Sequence, residues 1–452
     1  MPAIVAGTFV SRMTGRAPAA LGSRPTDGEI PSLAHSAVLW RDDPPPAAKT
    51  SPVAGLDLTR IASVNGGSTA PTDSGMARLT LDDELQRTAV AVMATRHLPE
   101  AAVVLMDVAS GRLLVYASHI EGGPARDLCA QATAPSASVF KIVTAAALVE
   151  DAHLGPETKQ CYLGGEQRIS PIDLIDDPQR DKWCTTLASA MGRSINTVFA
   201  RLASGHLEPE QLETMARRFG YGQPFPFDVP VQTSALRVPE DTLEFARTAA
   251  GFWNTTLSPL EAAQISAIVA RGGESVRPSV VDKIVAESGA VLWSAPESQT
   301  SSRAIARDTA DKVAAMMEHT VNEGTSWHAF HDPRGVSFLP GIAVGGKTGT
   351  LTDGAAHRYY TWFTGFAPMK PISGVQQVAI SVLVVNGPTW QVKANVVARD
   401  MLRAYFASRD LPGVTRPGLG GASPPRGGGR RAHTSSHSAE RSSIPRASLG
   451  GA

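Results

Sequence analysis

Ser138-Val139-Phe140-Lys141 puts a hydroxyl and an amine three positions apart, on one side of a helical turn and close enough to share a proton. Such a pair can serve as nucleophile and base if the amine is held neutral. Bringing a lysine from about 10.4 to about 7 costs about 4–5 kcal/mol, which burial and a like-charged neighbour must supply. Further along, Ser194-Ile195-Asn196 offers a second hydroxyl beside an amide, and Lys347-Thr348-Gly349-Thr350 offers a cation flanked by hydroxyls. Together these are the parts needed to open an acyl bond. Lysine is scarce in this chain: only Lys141 has a serine three positions before it, and only Lys347 opens a Thr-Gly-Thr. A second Ser-x-Asn, Ser63-Val64-Asn65, lies upstream of the nucleophile in a Gly/Ser-rich stretch and reads as loop.

The ordered triplet S-x-x-K, S-x-N, K-T-G resembles the transpeptidase domain of penicillin-binding proteins. Leu79-Thr80-Leu81-Asp82, followed by Leu85-Gln86, is similar to the start of that domain in many members. The resemblance implies that Ser138, Lys141, Ser194, Asn196 and Lys347 are catalytic. It also implies that Thr348, Gly349 and Thr350 bind substrate. In those terms Ser194 relays a proton to the leaving amine, while Asn196 holds Lys141 and the substrate amide. Lys347 and the hydroxyls of Thr348 and Thr350 hold the terminal carboxylate of D-Ala-D-Ala or of a β-lactam. The backbone N–H groups of Ser138 and Thr350 form an oxyanion hole, typically worth about 3–4 kcal/mol per donor. Gly349 permits close backbone approach, and its strand can add an extended peptide. Whether Lys141 is the base, or stays cationic while another group is, remains open at this point.

The implied activity is that of a serine D,D-transpeptidase cross-linking peptidoglycan stem peptides, with no cofactor and no metal. Its partners are stem peptides and β-lactams, together with a cell-wall synthesis complex. The same parts serve a D,D-carboxypeptidase, in which water replaces the acceptor amine. A β-lactamase of the same fold is a second reading. One class of β-lactamase needs an E-x-x-x-N loop ahead of K-T-G, and here that pattern occurs only at Glu318–Asn322, inside an apparent helix. A non-catalytic β-lactam sensor or division-complex scaffold is a third, opposed by the intact motif residues.

These residues must be positioned by a sheet and helices. Residues 102–107 and 112–117 are short apolar runs around Ala109-Ser110-Gly111, a hairpin signal. Gly345–Thr352, Tyr359–Ala367 and Val378–Val385 read as three more strands, the last alternating Val378, Ile380, Val382, Val384. Thr80 reads as the hydroxyl cap of a helix with acids in its first turn, and Lys393–Ala407 as a closing helix. The expected fold is α+β: a five-stranded antiparallel sheet flanked by helices, with a mostly helical subdomain inserted over about 142–320. The nucleophile falls in the first turn of a buried helix that begins at Pro135-Ser136-Ala137. Ser194 falls at the N-cap of a helix over 195–204.

Residues 1–76 and 411–452 are rich in Pro, Gly and Ser, which predicts disordered ends around a transpeptidase domain at 77–410. Equal numbers of basic and acidic side chains, 42 of each, give no drive toward nucleic acid. Residues 1–10 are too short an apolar run, and lack a basic start, for a signal peptide; no stretch approaches a membrane span. The family resemblance nevertheless implies action in the periplasm, in association with the inner membrane. Cys161 and Cys184 could pair in an oxidising compartment or remain two buried thiols, with Cys129 left over. His328-Ala329-Phe330-His331 has a metal-like spacing but no third ligand, and reads as a loop.

Overall fold

The valine- and isoleucine-rich run Val378–Asn386 is buried on both faces, so it forms the middle of a sheet and not its rim. In this computed structural model, which describes residues 52–418 apart from 65, 166, 297–299, 355 and 388–391, that sheet has five antiparallel strands. Their order is Gly345–Asp353, Arg358–Ala367, Val378–Asn386, Glu100–Asp107 and Leu113–Ile120. The K-T-G strand is therefore an edge. Strands from the two ends of the chain meet at the centre, where Val382 opposes Val103.

Two helices, Asp83–Thr95 and Ala394–Ala407, cover one face and bury Leu85, Val92, Met401 and Tyr405 against Val103, Val382 and Phe363. The other face packs on the helix Pro259–Ala270, which is buried almost all round, and through it on the inserted helices. The insertion carries Lys141–Glu150, Leu187–Arg193, Asn196–His206 and Arg307–Asn322, which together build the floor and one wall of a cleft.

Three expectations near the N-terminal end need correction. The N-terminal boundary at residue 76 is too late: Ala62–Val64, Gly67–Thr72 and Gly75–Leu79 pair with Val281–Val285 and Val291–Ser294 in a second five-stranded sheet. This stretch has few apolar side chains, but Ala70, Ala77 and Leu79 are enough to seal Val281 and Ile284 in the core. The Ser63-Val64-Asn65 decoy is strand up to Val64, and Asn65 lies outside the described residues. The first helix is capped by Asp82, whose carboxylate accepts from the N–H groups of Glu84 and Leu85; Thr80 instead donates to the Leu113 carbonyl. The insertion is mostly helical, as expected, and also holds an antiparallel ribbon, Lys159–Tyr162 with Trp183–Thr186, stapled by a Cys161–Cys184 disulfide.

At the other end Leu411 and Val414 still pack on the core, so the chain is ordered a little past residue 410. Residues 1–51 and 419–452 lie outside the described residues. Among the described residues no helix is long and apolar enough to cross a membrane.

Candidate active site

Ser138 lies in a short 3-10 turn, Ala137–Phe140, that runs directly into the helix Lys141–Glu150. Ala137, one residue ahead, adopts φ of 48°, a left-handed conformation that costs a non-glycine residue of order 1 kcal/mol and persists only where its surroundings impose it. Those surroundings are specific. The indole Nε1 of Trp362 donates to the Pro135 carbonyl at 2.9 Å, and the Tyr221 hydroxyl donates to Ser136 Oγ at 3.1 Å. Gly349 leaves room for the turn, since a Cβ there would lie 3.2 Å from the Ala137 methyl.

Lys141 is fully buried, with three oxygens around its Nζ: Ser138 Oγ at 2.8 Å, Asn196 Oδ1 at 2.6 Å and the Ala250 carbonyl at 2.6 Å. Burial, and then the charge of Lys347, push its pKa well below the ordinary lysine value. Lys347 is equally buried; its Nζ donates to Ser194 Oγ at 2.9 Å and to the Thr348 carbonyl at 2.8 Å. Desolvation brings it down to about 7. Both amines therefore gain most from becoming neutral, or from an anion that enters the cleft.

Ser194 is not the N-cap expected from the sequence. It ends the helix Leu187–Arg193 in a left-handed conformation, φ 59°, and Ile195 caps the next helix, of which Asn196 is the first residue. This sharp corner is what lets Ser194 face Lys347 while Asn196 faces Lys141. Asn196 is held from behind. Five residues on, Arg201 is buried and bonds to Asp181, Asp176 and the carbonyls of Cys161 and Asp173, so the stapled ribbon is tied onto the same helix.

A cleft of about 310 Å³ is lined by Ser138, Ser194, Asn196, Thr348, Gly349 and Thr350, with Lys141 and Lys347 just beneath its surface. All eight residues singled out by the motifs thus converge on one place. A larger hollow of about 510 Å³, between the helix Asp83–Thr95 and the strand Leu113–Ile120, contains none of them. The cleft also takes in Thr325, Thr361, Trp362, Lys393 and Asn395, which sequence reasoning missed. In sequence, Asn322-Glu323-Gly324-Thr325 reads as a turn after a helical run that supports the K-T-G strand, with no sign of a side chain in the cleft, and the others carry no local signal. Glu318 and Asn322 bond to each other on the exposed side of their helix and do not line the cleft. His328 and His331 pack against Trp327.

Beneath the nucleophile turn, Glu261 is buried and shares a hydrogen bond with Ser234; burial raises its pKa to about 8. Cys129 is a buried free thiol whose pKa burial pushes well up.

Residues 101–403 match the family described as the penicillin binding protein transpeptidase domain. Peptidoglycan D,D-transpeptidase PbpA of Mycobacterium tuberculosis is 29% identical over 265 residues, which cover 56% of this chain and 50% of that protein. Stage V sporulation protein D of Bacillus subtilis is 25% identical over 335 residues, covering 69% and 50%. The chain thus spans about half the length of these relatives. Among solved structures, penicillin-binding protein A of M. tuberculosis in its imipenem acyl-enzyme complex superposes with a TM-score of 0.59 at 22% identity, over 72% of this chain and 78% of that one. The transpeptidase domain from Eggerthella lenta gives 0.58 at 23% identity, over 74% and 83%. At these identities the structural likeness speaks for the fold.

Proposed function

Since the chain belongs to the penicillin-binding protein transpeptidase domain family, we propose that it is a serine D,D-transpeptidase that cross-links peptidoglycan stem peptides through an acyl-enzyme on Ser138. The observation that carries this reading is the set of oxygens around Lys141 Nζ. A neutral amine has two N–H groups and one lone pair. Asn196 Oδ1 and the Ala250 carbonyl can only accept, so they take both N–H groups. The lone pair then points to the third neighbour, Ser138 Oγ, and takes its proton. This arrangement favours Lys141 as base over the alternative in which it stays cationic.

In the reaction Ser138 Oγ attacks the carbonyl carbon of the penultimate D-Ala as its proton passes to Lys141. The N–H groups of Ser138 and Thr350 hold the oxyanion. The tetrahedral intermediate collapses, the C–N bond breaks, and the departing D-Ala amine takes a proton through Ser194. An acceptor amine from a second stem peptide then attacks the ester, giving up a proton to Lys141, and as the C–O bond breaks Lys141 returns a proton to Ser138 Oγ. Lys347, Thr348 and Thr350 hold the donor's terminal carboxylate, whose charge draws the Lys347 proton back.

Relatives named D,D-transpeptidases, and a neighbour seen as an acyl-enzyme with imipenem, support the reading. Lipid-linked stem peptides are presented outside the cytoplasmic membrane, so the protein acts there, in the periplasm, with a cell-wall synthesis complex. The test is intact-mass analysis after benzylpenicillin, followed over hours, with a D-Ala-D-Ala peptide and an amine acceptor assayed alongside. A stable adduct and amine-dependent cross-linked product support a transpeptidase. Release of D-Ala without cross-linking means a carboxypeptidase, and rapid loss of the adduct means a β-lactamase.

A further inference from the structure

Thr325 belongs to none of the three motifs, yet it touches both walls of the cleft. Its backbone N–H donates to the Gly192 carbonyl at 3.0 Å, two residues before Ser194. Its Oγ1 lies 2.6 Å from Thr348 Oγ1, next to Lys347 on the edge strand. Gly324 makes this reach possible, because a Cβ there would sit 2.1 Å from the Gly192 carbonyl oxygen. From behind, the Asn395 amide donates to the Thr325 carbonyl at 3.4 Å and to Ser326 Oγ at 3.2 Å, pinning the segment to the start of the last helix.

The direction of the Thr325–Thr348 hydrogen bond decides what Thr348 can do. Thr325 Oγ1–H has two acceptors: Thr348 Oγ1 at 2.6 Å and the Gly192 carbonyl at 3.3 Å. A carboxylate in the cleft claims the Thr348 O–H as the stronger, charge-assisted bond, which leaves Thr348 Oγ1, the nearer of the two acceptors, to accept from Thr325. Thr348 then accepts from Thr325, and its own O–H is left to donate into the cleft. Hydroxyls linked head to tail polarise one another, which makes the terminal O–H a better donor to an anion.

We propose that Thr325 is a positioning residue that sets specificity for carboxylate-bearing acyl donors, by holding the Thr348 hydroxyl as a donor to the substrate's terminal carboxylate. The proposal rests on the serine acyl-transfer reading. Without the Thr325 hydroxyl, Thr348 has to choose its own partner and the carboxylate loses a fixed donor. Charge-assisted hydrogen bonds are stronger than neutral ones, so the loss should be on the order of tenfold.

The experiment compares the full chain with Thr325→Val and Thr325→Ser in acylation by benzylpenicillin and by its methyl ester, with thermal melts confirming the folded state. Thr325→Val should lower the second-order rate constant for benzylpenicillin by about tenfold, mainly through weaker binding, and leave the ester within about twofold of wild type. Thr325→Ser, which keeps the hydroxyl, should restore the benzylpenicillin rate. Equal losses for acid and ester would overturn the proposal in favour of a packing role, and so would a Thr325→Ser variant as impaired as Thr325→Val. An unchanged Thr325→Val overturns it outright. If wild type itself forms no adduct with either compound, the acyl-transfer reading fails first, and that outcome is separately visible.

Discussion

Trp362 and Pro135 lie 227 residues apart in sequence, yet the indole Nε1 of one donates to the carbonyl of the other at 2.9 Å, three residues before the nucleophile. The strand beside the K-T-G edge thus holds the segment that carries Ser138, the proposed nucleophile. Trp362→Phe keeps most of the ring but orphans a buried carbonyl. It should destabilise the protein by about 1–3 kcal/mol and slow acylation, as read by urea unfolding and by penicillin kinetics. Normal stability with normal acylation would mean that the grip does nothing.

Ser138→Ala should form no adduct, and Lys141→Ala should lose acylation by about 10²–10⁴-fold while folding normally, the usual range for a positioned base. Peptide mapping of the penicillin adduct checks the first claim and stopped-flow acylation the second.

The two lysines predict a bell-shaped pH profile. Acylation should rise as Lys141, held well below its usual value, loses its proton. It should fall on the alkaline side of about 7, as Lys347 loses the charge that attracts a carboxylate. The methyl ester, having no carboxylate, should keep the acid limb and lose the alkaline one. Because the amines face each other through the cleft floor, the two limbs report the pair and not single residues.

Glu261 makes a stability prediction of defined sign. Its folded pKa is raised to about 8 from 4.5, so the native state holds the proton more tightly than the unfolded chain. The associated stability is full below pH 4.5 and is lost as pH rises through 8. Glu261→Gln removes this term. Urea midpoints at pH 5 and pH 8.5 should therefore differ less in the variant than in wild type, after the contribution of the other groups cancels in the comparison.

Trimming the chain distinguishes the two N-terminal boundaries. Removing residues 1–76 deletes Ala62–Val64, Gly67–Thr72 and the first two residues of Gly75–Leu79, which strips the rest of that strand of its outer neighbours and should lower the unfolding midpoint or abolish cooperative unfolding, whereas a chain starting at residue 52 should keep both. We likewise expect Cys161→Ser with Cys184→Ser to lose about 3 kcal/mol by loop-closure reasoning, measured by melts with and without reductant.

The five main strands, their hairpin and the closing helix were legible in sequence because alternation and turn residues are local signals. The eight motif residues could be picked out because hydroxyl, amine and amide side chains at fixed spacing are themselves the signal, and the fold brings them to one cleft. What stayed hidden depends on long-range packing. Ala62–Val64 and Gly67–Thr72 pair with each other and with Gly75–Leu79, but their few apolar side chains leave no alternation to read, and the sheet continues only through Val281–Val285, far along the chain. Ser194 reads as a helix cap until the helix before it is known to end there, and the Ala250 carbonyl could not be found at all, since a backbone oxygen has no sequence signature. Thr325 was visible as a turn, but its bond to Thr348 depends on a glycine meeting a carbonyl across two helices.

The central pairing of Val378–Asn386 with Glu100–Asp107 also sets a schedule for biosynthesis. Ser138 and Lys141 leave the ribosome while the strand bearing Lys347 has yet to be made, and the early hairpin waits with one side unpaired until residue 386 has been added. Until then the Lys141 amine has no buried cation beside it and no second wall to keep water out, so it stays protonated and the serine stays an ordinary alcohol. The waiting hairpin, with its exposed backbone edge, is the part of the unfinished chain most open to wrong pairing.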